Sequence, residues 1–435
     1  MKRGFWPLFC VRTKLMEIQK ILPVIGFTLI LLAIDAYAFQ AFKGVIPATA
    51  RKWAVPAFWA VSFGLLSILI YLRIAGQAHV SRLVLLFTFS TFFIIYLSKI
   101  IICLFLLVED ISRGGIIGFN WIRSLIESKP AAHSPARSAA LAKIAFSVAA
   151  VPFFSLIYGM VKGAYKYQVR NVRIPIRDLP EAFEGLKIVQ ISDIHSGSFY
   201  DKAAVQKGID MILAQKPDLV FFTGDLVNNE ATEIVDYLPV FSQVKAPMGV
   251  FSVLGNHDYG DYKMWPSEQH KKQNLATLKQ HHATLGWRLL MDEHVVIKKG
   301  NDELAVIGIQ NWGAKGNFPK YGDLHKAYNG AEHHRTKLLL SHDPSHWDAQ
   351  VIKQFPGIDA MFAGHTHGMQ FGIEIPGFKW SPVQYMYKQW AGLYSQGHQH
   401  LYVNRGFGFI GYPGRVGIWP EISVIELTRS DHNKG

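Results

Sequence analysis

The sequence predicts a multi-pass helical membrane region followed by an α/β domain, and three observations carry that prediction. Residues 1–177 hold 21 Lys and Arg against 5 Asp and Glu, whereas residues 178–435 hold 24 against 27, so the net charge of +13 belongs to the first part alone. All the long apolar runs lie in that first part. From residue 186 onward, short apolar runs alternate with helical stretches, the texture of an α/β domain, and 16 of the 18 histidines lie in this second part. At 435 residues either part is long enough to bury a core of its own. A nucleic-acid-binding surface would be basic on the domain that binds; the second part is slightly acidic, so no nucleic-acid binding is expected. The two cysteines, Cys10 and Cys103, cannot build a disulfide framework or a thiolate-rich zinc site. A metal in this chain must draw on His, Asp and Asn.

Taken in order, residues 21–42 follow the basic residues Lys2, Arg3, Arg12, Lys14 and Lys20 and are long enough to cross a bilayer. Ala36-Tyr37-Ala38 resembles a signal-peptide cleavage site, but the spans that follow would hold the chain in the membrane regardless. Residues 53–74, 83–108 and 139–160 form three more spans, with Pro152 tolerable inside a membrane helix. Asp35 and Lys99 are the polar exceptions. Asp35, late in its run, is expected to reach toward the interface; Lys99, inside the third run, either does the same or marks an ion path. Four spans place both ends of the region on one side. With the N-terminus inside, the inner segments hold 12 Lys and Arg and the outer loops 7, which favours a cytoplasmic second part. The basic segment 163–179 suits anionic lipid head groups, and the domain boundary is placed at 177/178.

In the second part, residues 187–191, 219–222, 250–254, 304–309, 337–340, 360–362, 401–403 and 422–427 read as strands, with helices over 203–215 and 234–243. Five of these strands end in groups able to bind metal. They run into Ser192-Asp193-Ile194-His195, Thr223-Gly224-Asp225, Gly255-Asn256-His257-Asp258, Ser341-His342-Asp343 and Gly364-His365-Thr366-His367. Strand C-terminal ends share one edge of an α/β sheet, where sites are usually built. Singly, each motif has a plain structural reading: Asp225 as a turn or cap, Asn256 as a turn residue, His342 as a core histidine. Five in succession, each after an apolar strand, are poorly explained by coincidence. Mixed oxygen and imidazole donors without thiolate suit Mn, Fe, Zn, Co or Ni, and their number exceeds one tetrahedral centre, so two divalent ions are expected.

This series resembles the motif set of the calcineurin-like metallophosphoesterases over about residues 184–428, including the late Arg405-Gly-Phe-Gly and Pro420-Glu421-Ile422 segments, in the manner of the membrane-associated bacterial branch. The resemblance implies a domain of two mixed β-sheets packed as a sandwich and flanked by helices. It implies that Asp193, His195, Asp225 and His367 bind one ion and that Asp225, Asn256, His342 and His365 bind the second, with Asp225 bridging. It further implies attack by a metal-bridging hydroxide, with His257 assisting beside the ions and Asp258 orienting its ring. Arg405 and Arg415, in a glycine-rich late loop, are candidates for a substrate phosphate or for internal ion pairing. His281, His282, His333 and His334 read as surface histidines. The aromatic stretch 380–390 reads as a lid, a lipid contact or packed loop. The expected function is a membrane-bound phosphoesterase acting on a phosphodiester or pyrophosphate bond, with membrane lipids as partners and a lipid-linked phosphate as a candidate substrate. The alternative is a membrane transporter or sensor whose metal domain binds a regulatory ligand without turnover; Lys99 is the residue that favours it.

Overall fold

The computed structural model describes residues 6–74, 80–127 and 138–430. Lys2, Arg3, Lys129 and Arg137, which enter the charge balance across the membrane, lie outside the described residues. The chain divides into two compact units, Met1–Ile157 and Tyr158–Gly435.

In the first unit the four apolar runs form helices α1 (Trp6–Val45), α2 (Arg51–Ile74), α3 (Arg82–Glu127) and α4 (Ala139–Tyr158). Each is long and apolar enough to cross a membrane, over Leu22–Val45, Arg51–Ile74, Arg82–Ile126 and Ala139–Gly163. The third outruns its expected length. It has 46 residues, about 69 Å at 1.5 Å per residue, roughly twice a hydrocarbon core. No proline interrupts it, so the helix continues past Val108 through Glu109, Asp110, Arg113 and Arg123. Small residues let three helices approach closely: Ala38 and Ala41 of α1 pack with Leu106 of α3 and with Ala142, Ala145 and Ala149 of α4.

Asp35 and Lys99 correct the expectation that they reach toward the interface. Neither reaches an interface. Asp35 is fully buried, and Lys99 is 7% exposed; the Lys99 ammonium donates to Asp35 Oδ1 at 2.5 Å and to Ser62 Oγ at 2.8 Å. Ser62 Oγ and Tyr96 Oη donate to the same carboxylate at 3.1 and 3.0 Å. The two charges neutralise one another between α1, α2 and α3, which is how ionisable residues are tolerated in a membrane interior.

The second unit contains two six-stranded sheets and a ribbon. In the first sheet, β1 (Gln168–Ile176), β14 (Glu421–Arg429), β2 (Lys187–Ile191), β3 (Leu219–Phe222), β4 (Val250–Ser252) and β5 (Arg288–Leu289) lie side by side in that order. The second sheet runs β12 (Gly392–Gln396), β13 (Gln399–Val403), β9 (Ala360–Ala363), β8 (Lys337–Leu340), β7 (Asp302–Gly308), β6 (Glu293–Lys299). The ribbon pairs β10 (Ile373–Ile375) with β11 (Phe378–Trp380). Both sheets mix parallel and antiparallel pairs. Central strands such as β3 are apolar on both faces, as burial on both sides demands. Leu219 and Phe221 join Leu338, Leu340 and Phe362 of the other sheet in the sandwich interior. Val220 and Phe222 face the opposite way, toward α5 (Lys202–Ala214) and α6 (Glu268–Leu285).

Every strand expected from the sequence is present. The basic segment 163–179 contains a strand that the sequence did not suggest: in β1, Val172, Ile174 and Ile176 alternate with Arg173 and Pro175, and the strand pairs in parallel with β14 at the sheet edge, where proline does no harm. The expected helix over 234–243 is a 3₁₀ segment, Ala231–Tyr237, followed by one α-turn, Leu238–Phe241. Helix α6 was not expected, because its moderate stripe of apolar residues lies in a highly polar stretch.

Candidate metal centre

The five motifs leave strands of both sheets, three from β2, β3 and β4 and two from β8 and β9. The site is therefore built across the edge of the sandwich, not along one sheet. Asp193, His195, Asp225, Asn256, His342 and His367 are buried, and His257 and His365 are half-buried. Main-chain bonds hold the loops together: the Asp193 N–H donates to Gly224 O at 2.9 Å, and the His195 N–H to Asp225 O at 3.0 Å.

These loops are strained. Asp193 (φ 52°), His195 (47°), Asp225 (61°), His365 (69°) and His367 (51°) make up five of the nine described non-glycine residues with positive φ. Asp and His tolerate this region better than most residues, and such backbone persists where the surroundings over-determine it. Two glycines show how tightly. A Cβ on Gly364 would lie 2.0 Å from Ser192 Oγ and 2.2 Å from Asp193 Oδ2; one on Gly255 would lie 2.2 Å from Asp225 Oδ1.

Two groups of ligand atoms result. Donor atoms of Asp193, His195 and His367 lie within 4.8 Å of one another, and so do those of Asp225, His342 and His365. His367 Nε2 lies 3.0 Å from His195 Nε2 and 3.2 Å from Asp193 Oδ1. His365 Nδ1 lies 2.8 Å from Asn256 Oδ1 and 3.3 Å from His342 Nε2. The neighbouring imidazoles thus point into different groups. Between them, Asp225 Oδ2 is 3.5 Å from His195 Nε2 and 3.2 Å from His342 Nε2.

The donor set fits cations. His342 Nδ1 donates to the Thr223 carbonyl at 2.7 Å and His195 Nδ1 to Asn228 Oδ1 at 3.0 Å. Each ring then presents its Nε2 lone pair toward the Asp225 carboxylate, an arrangement that is repulsive unless a proton or a cation lies between. The titration behaviour agrees. Burial works against a charge on His342, yet Asp225 and then Asp193 raise it to about 10. Burial likewise opposes the charge on Asp225, but His342 and His257 hold it well below the usual carboxylate range. Burial pushes His195 down. Outside each ring, a protein group sets its orientation. Tyr387 Oη (3.0 Å) and Asp343 Oδ2 (3.7 Å) stand behind His365 Nε2. His367 is the exception, since its Nδ1 faces a guanidinium, Arg415 Nη2 at 3.1 Å, and not an acceptor.

Two sequence-based roles are corrected, those of Asp258 and His282, and the internal alternative is the one met by Arg405 and Arg415. Asp258 does not orient His257: the His257 Nδ1 bonds the Asn228 carbonyl at 2.9 Å. The Asp258 carboxylate instead accepts the N–H groups of Asp225, Leu226, Val227 and Gly255 at 2.8–3.2 Å. Burial, then Asp225, push its pKa up to about 7 against those N–H groups. Arg405 and Arg415 offer no free guanidinium face. Arg405 pairs with Glu421 and Glu374 at 2.5 and 2.7 Å; Arg415, fully buried, donates to the carbonyls of Gly406, Gly408, His367 and Ile418. His282 is not at the surface but fully buried, with its ring against Phe222 and Trp287. Sequence reasoning missed Asn228, Tyr387 as a ring partner, Tyr262, whose ring lies 4.6 Å from that of His257, and Phe318, 5.1 Å from His365. For Asn228 a signal existed, its place three residues after Asp225; the aromatics come from distant loops.

Comparison with known proteins places these residues in context. Residues 186–369 match the family model described as "Calcineurin-like phosphoesterase", and residues 19–164 match "Probable Calcineurin-like phosphoesterase, transmembrane domain". The chain is similar to "Transmembrane protein with metallophosphoesterase domain" of Danio rerio, 31% identical over 63% of this chain and 60% of the relative. It thus spans less than two thirds of that relative's length. It is also similar to "Phosphodiesterase YaeI" of Escherichia coli, 28% identical over 55% of this chain and 82% of the relative. A third is "UDP-2,3-diacylglucosamine pyrophosphatase LpxG" of Chlamydia muridarum, 27% identical over 53% of this chain and 81% of the relative.

Proposed function

We propose that the chain, whose two parts match the calcineurin-like phosphoesterase model and the model of its transmembrane domain, is a membrane-bound, metal-dependent hydrolase of a phosphodiester or pyrophosphate bond. The observation that carries the proposal is the pair of ligand groups meeting at Asp225 Oδ2. Asp193, His195, Asp225 and His367 would hold one divalent ion, and Asp225, Asn256, His342 and His365 the second. Mn, Fe, Zn, Co and Ni match these donors. When bound, such ions supply a water of lowered pKa and positive charge against phosphoryl oxygens.

The chain's own residues do the rest. The Asn228 carbonyl fixes the proton on His257 Nδ1, which leaves Nε2, at the half-buried edge of the site, to hold or give a proton at the leaving oxygen. Asp258 is a positioning residue: by gathering four N–H groups it holds the Asp225 and Asn256 loops in register. Tyr262 packs its ring against His257, and Phe318 and Tyr387 pack theirs against His365. A lipid-linked phosphate is the favoured substrate, supported by the four spans and by the lipid pyrophosphatase among the relatives. The excess of Lys and Arg in the inner segments, 12 against 7, favours a cytoplasmic catalytic domain.

The test uses the full chain in detergent with a chromogenic phosphodiester and added Mn. Hydrolysis that is lost on Asp225→Ala is the expected result. No turnover with any of the five metals overturns the proposal.

A further inference from the structure

The ribbon β10–β11 is amphipathic in the opposite sense from an ordinary surface hairpin. Its register pairs Ile373 with Trp380 and Ile375 with Phe378, so these four apolar side chains share one face. That face points outward, with Ile373 50%, Ile375 59% and Phe378 53% exposed. The charged residues lie on the other face, where Glu374 is half-buried and Lys379, though exposed, bonds back onto the domain. Glu374 reaches Arg170 and Arg405, each at 2.7 Å, and the Lys379 ammonium donates to the Ala391 carbonyl and to Tyr394 Oη. The next turn continues the apolar surface: Tyr385 is 80% and Met386 59% exposed, and Trp380 Nε1 donates to Tyr385 Oη at 3.4 Å. A ribbon that turns its ion pairs inward and its apolar face outward is built for an apolar surrounding.

Its position says which one. The fourth candidate span runs to Gly163, and from Tyr158 it belongs to the second unit. Val416 touches both structures. A Cβ on Gly159 would lie 2.7 Å from its side chain, while its carbonyl accepts the Gly372 N–H, at the root of the ribbon, at 2.9 Å. Around that joint stand Tyr158, Trp419 and Lys166, the last with its ammonium 4.5 Å from the Trp419 ring, an assortment typical of a membrane interface. The other end of the surface adjoins the metal centre, since Tyr387 follows Met386 and contacts His365.

We propose that the outward face of the β10–β11 ribbon, with Tyr385 and Met386, is seated in the interfacial layer of the bilayer that the chain spans, so that the mouth of the metal centre takes its phosphoester from lipid. The second clause rests on the phosphoesterase reading; the first does not. The experiment therefore has two arms. A Cys10→Ser, Cys103→Ser full chain carrying Ile375→Cys with an environment-sensitive fluorophore, in phosphatidylcholine–phosphatidylglycerol nanodiscs, should emit blue-shifted light. Nitroxide-labelled lipid should quench it, as it should not quench a probe at Lys298→Cys on the far strand β6. Equal response at the two positions overturns the seating, and so does a blue shift that nitroxide lipid leaves unquenched, the outcome expected for a second copy of the chain on this face.

In the activity arm, Ile375→Asp/Phe378→Asp should retain hydrolysis of the soluble diester and lose about tenfold or more on a phosphodiester-headgroup lipid in the same nanodiscs. Equal retention on both substrates overturns the lipid-feeding clause. Quenching without turnover of either substrate by the parent chain overturns the phosphoesterase reading and leaves the seating standing.

Discussion

His365 and His367 are two residues apart in sequence, yet they serve different groups of ligands, because the left-handed backbone at both residues turns one ring to Asn256 and the other to His195. The side chains behind the rings then decide how well each nitrogen is aimed. Replacing such a partner typically weakens metal binding about 10–100-fold. We expect Asn228→Ala to produce a loss of that size for the ion held with His195, and Tyr387→Phe to weaken the ion held with His365, as read by metal titration of the purified chain. The motif residues were legible in the sequence because each follows its strand directly. Their orienting partners were not: Tyr387 and Phe318 lie in other loops, and which atom of a ring faces the site is invisible to spacing.

At the scale of elements, the loops after β2 and β9 are packed to contact. Gly364→Ala must displace Ser192 or Asp193. A shift of about 1 Å at reacting groups can cost about a hundredfold in rate, so diester hydrolysis should fall by that order while the far-ultraviolet circular dichroism stays unchanged. Helix α6 carries a different liability. His282 sits neutral against β4, with its Nδ1 3.0 Å from Ser252 Oγ, and burial, with His281 adding to it, holds its pKa at about 3 against 6.5 when free. Below about pH 6.5 the unfolded chain binds a proton that the folded one refuses, so stability falls as pH drops from 6.5 toward 3, by up to about 1.4 kcal/mol per unit. Denaturant midpoints at pH 7.5 and pH 5 should therefore separate further for the natural chain than for His282→Leu. The doublet His281-His282 resembles surface sequence, and only the packing of α6 on the sheet reveals that one of the two is core.

For the whole molecule, the membrane region and the metal domain make separable demands. Lys99 has its partner in Asp35, and Ser62 and Tyr96 complete the cluster. Removing one member of a buried pair leaves the other uncompensated, at a cost of about 3–5 kcal/mol. Lys99→Ala should lower the thermal midpoint in detergent, and the double variant Lys99→Ala/Asp35→Ala should recover much of the loss. At temperatures where the variants stay folded, hydrolysis of the soluble diester should be unchanged.

By itself the sequence determined the four apolar helices, the strands of the domain and the five motifs at their ends, because span length, apolar runs and motif spacing are properties of contiguous residues. It also restricted the expected metal ligands to His, Asp and Asn, through the absence of cysteine from the second part. Only the tertiary structure decided that the motifs come from two sheets, that Arg405 and Arg415 are enclosed by internal partners, and that Asp258 gathers backbone N–H groups while Asn228 holds His257. The same is true of the Lys99–Asp35 pair, 64 residues apart, and of the ribbon whose apolar face turns outward. The physical reason is common to all of them: a side chain's partner, and the face it presents, depend on which distant segments pack beside it.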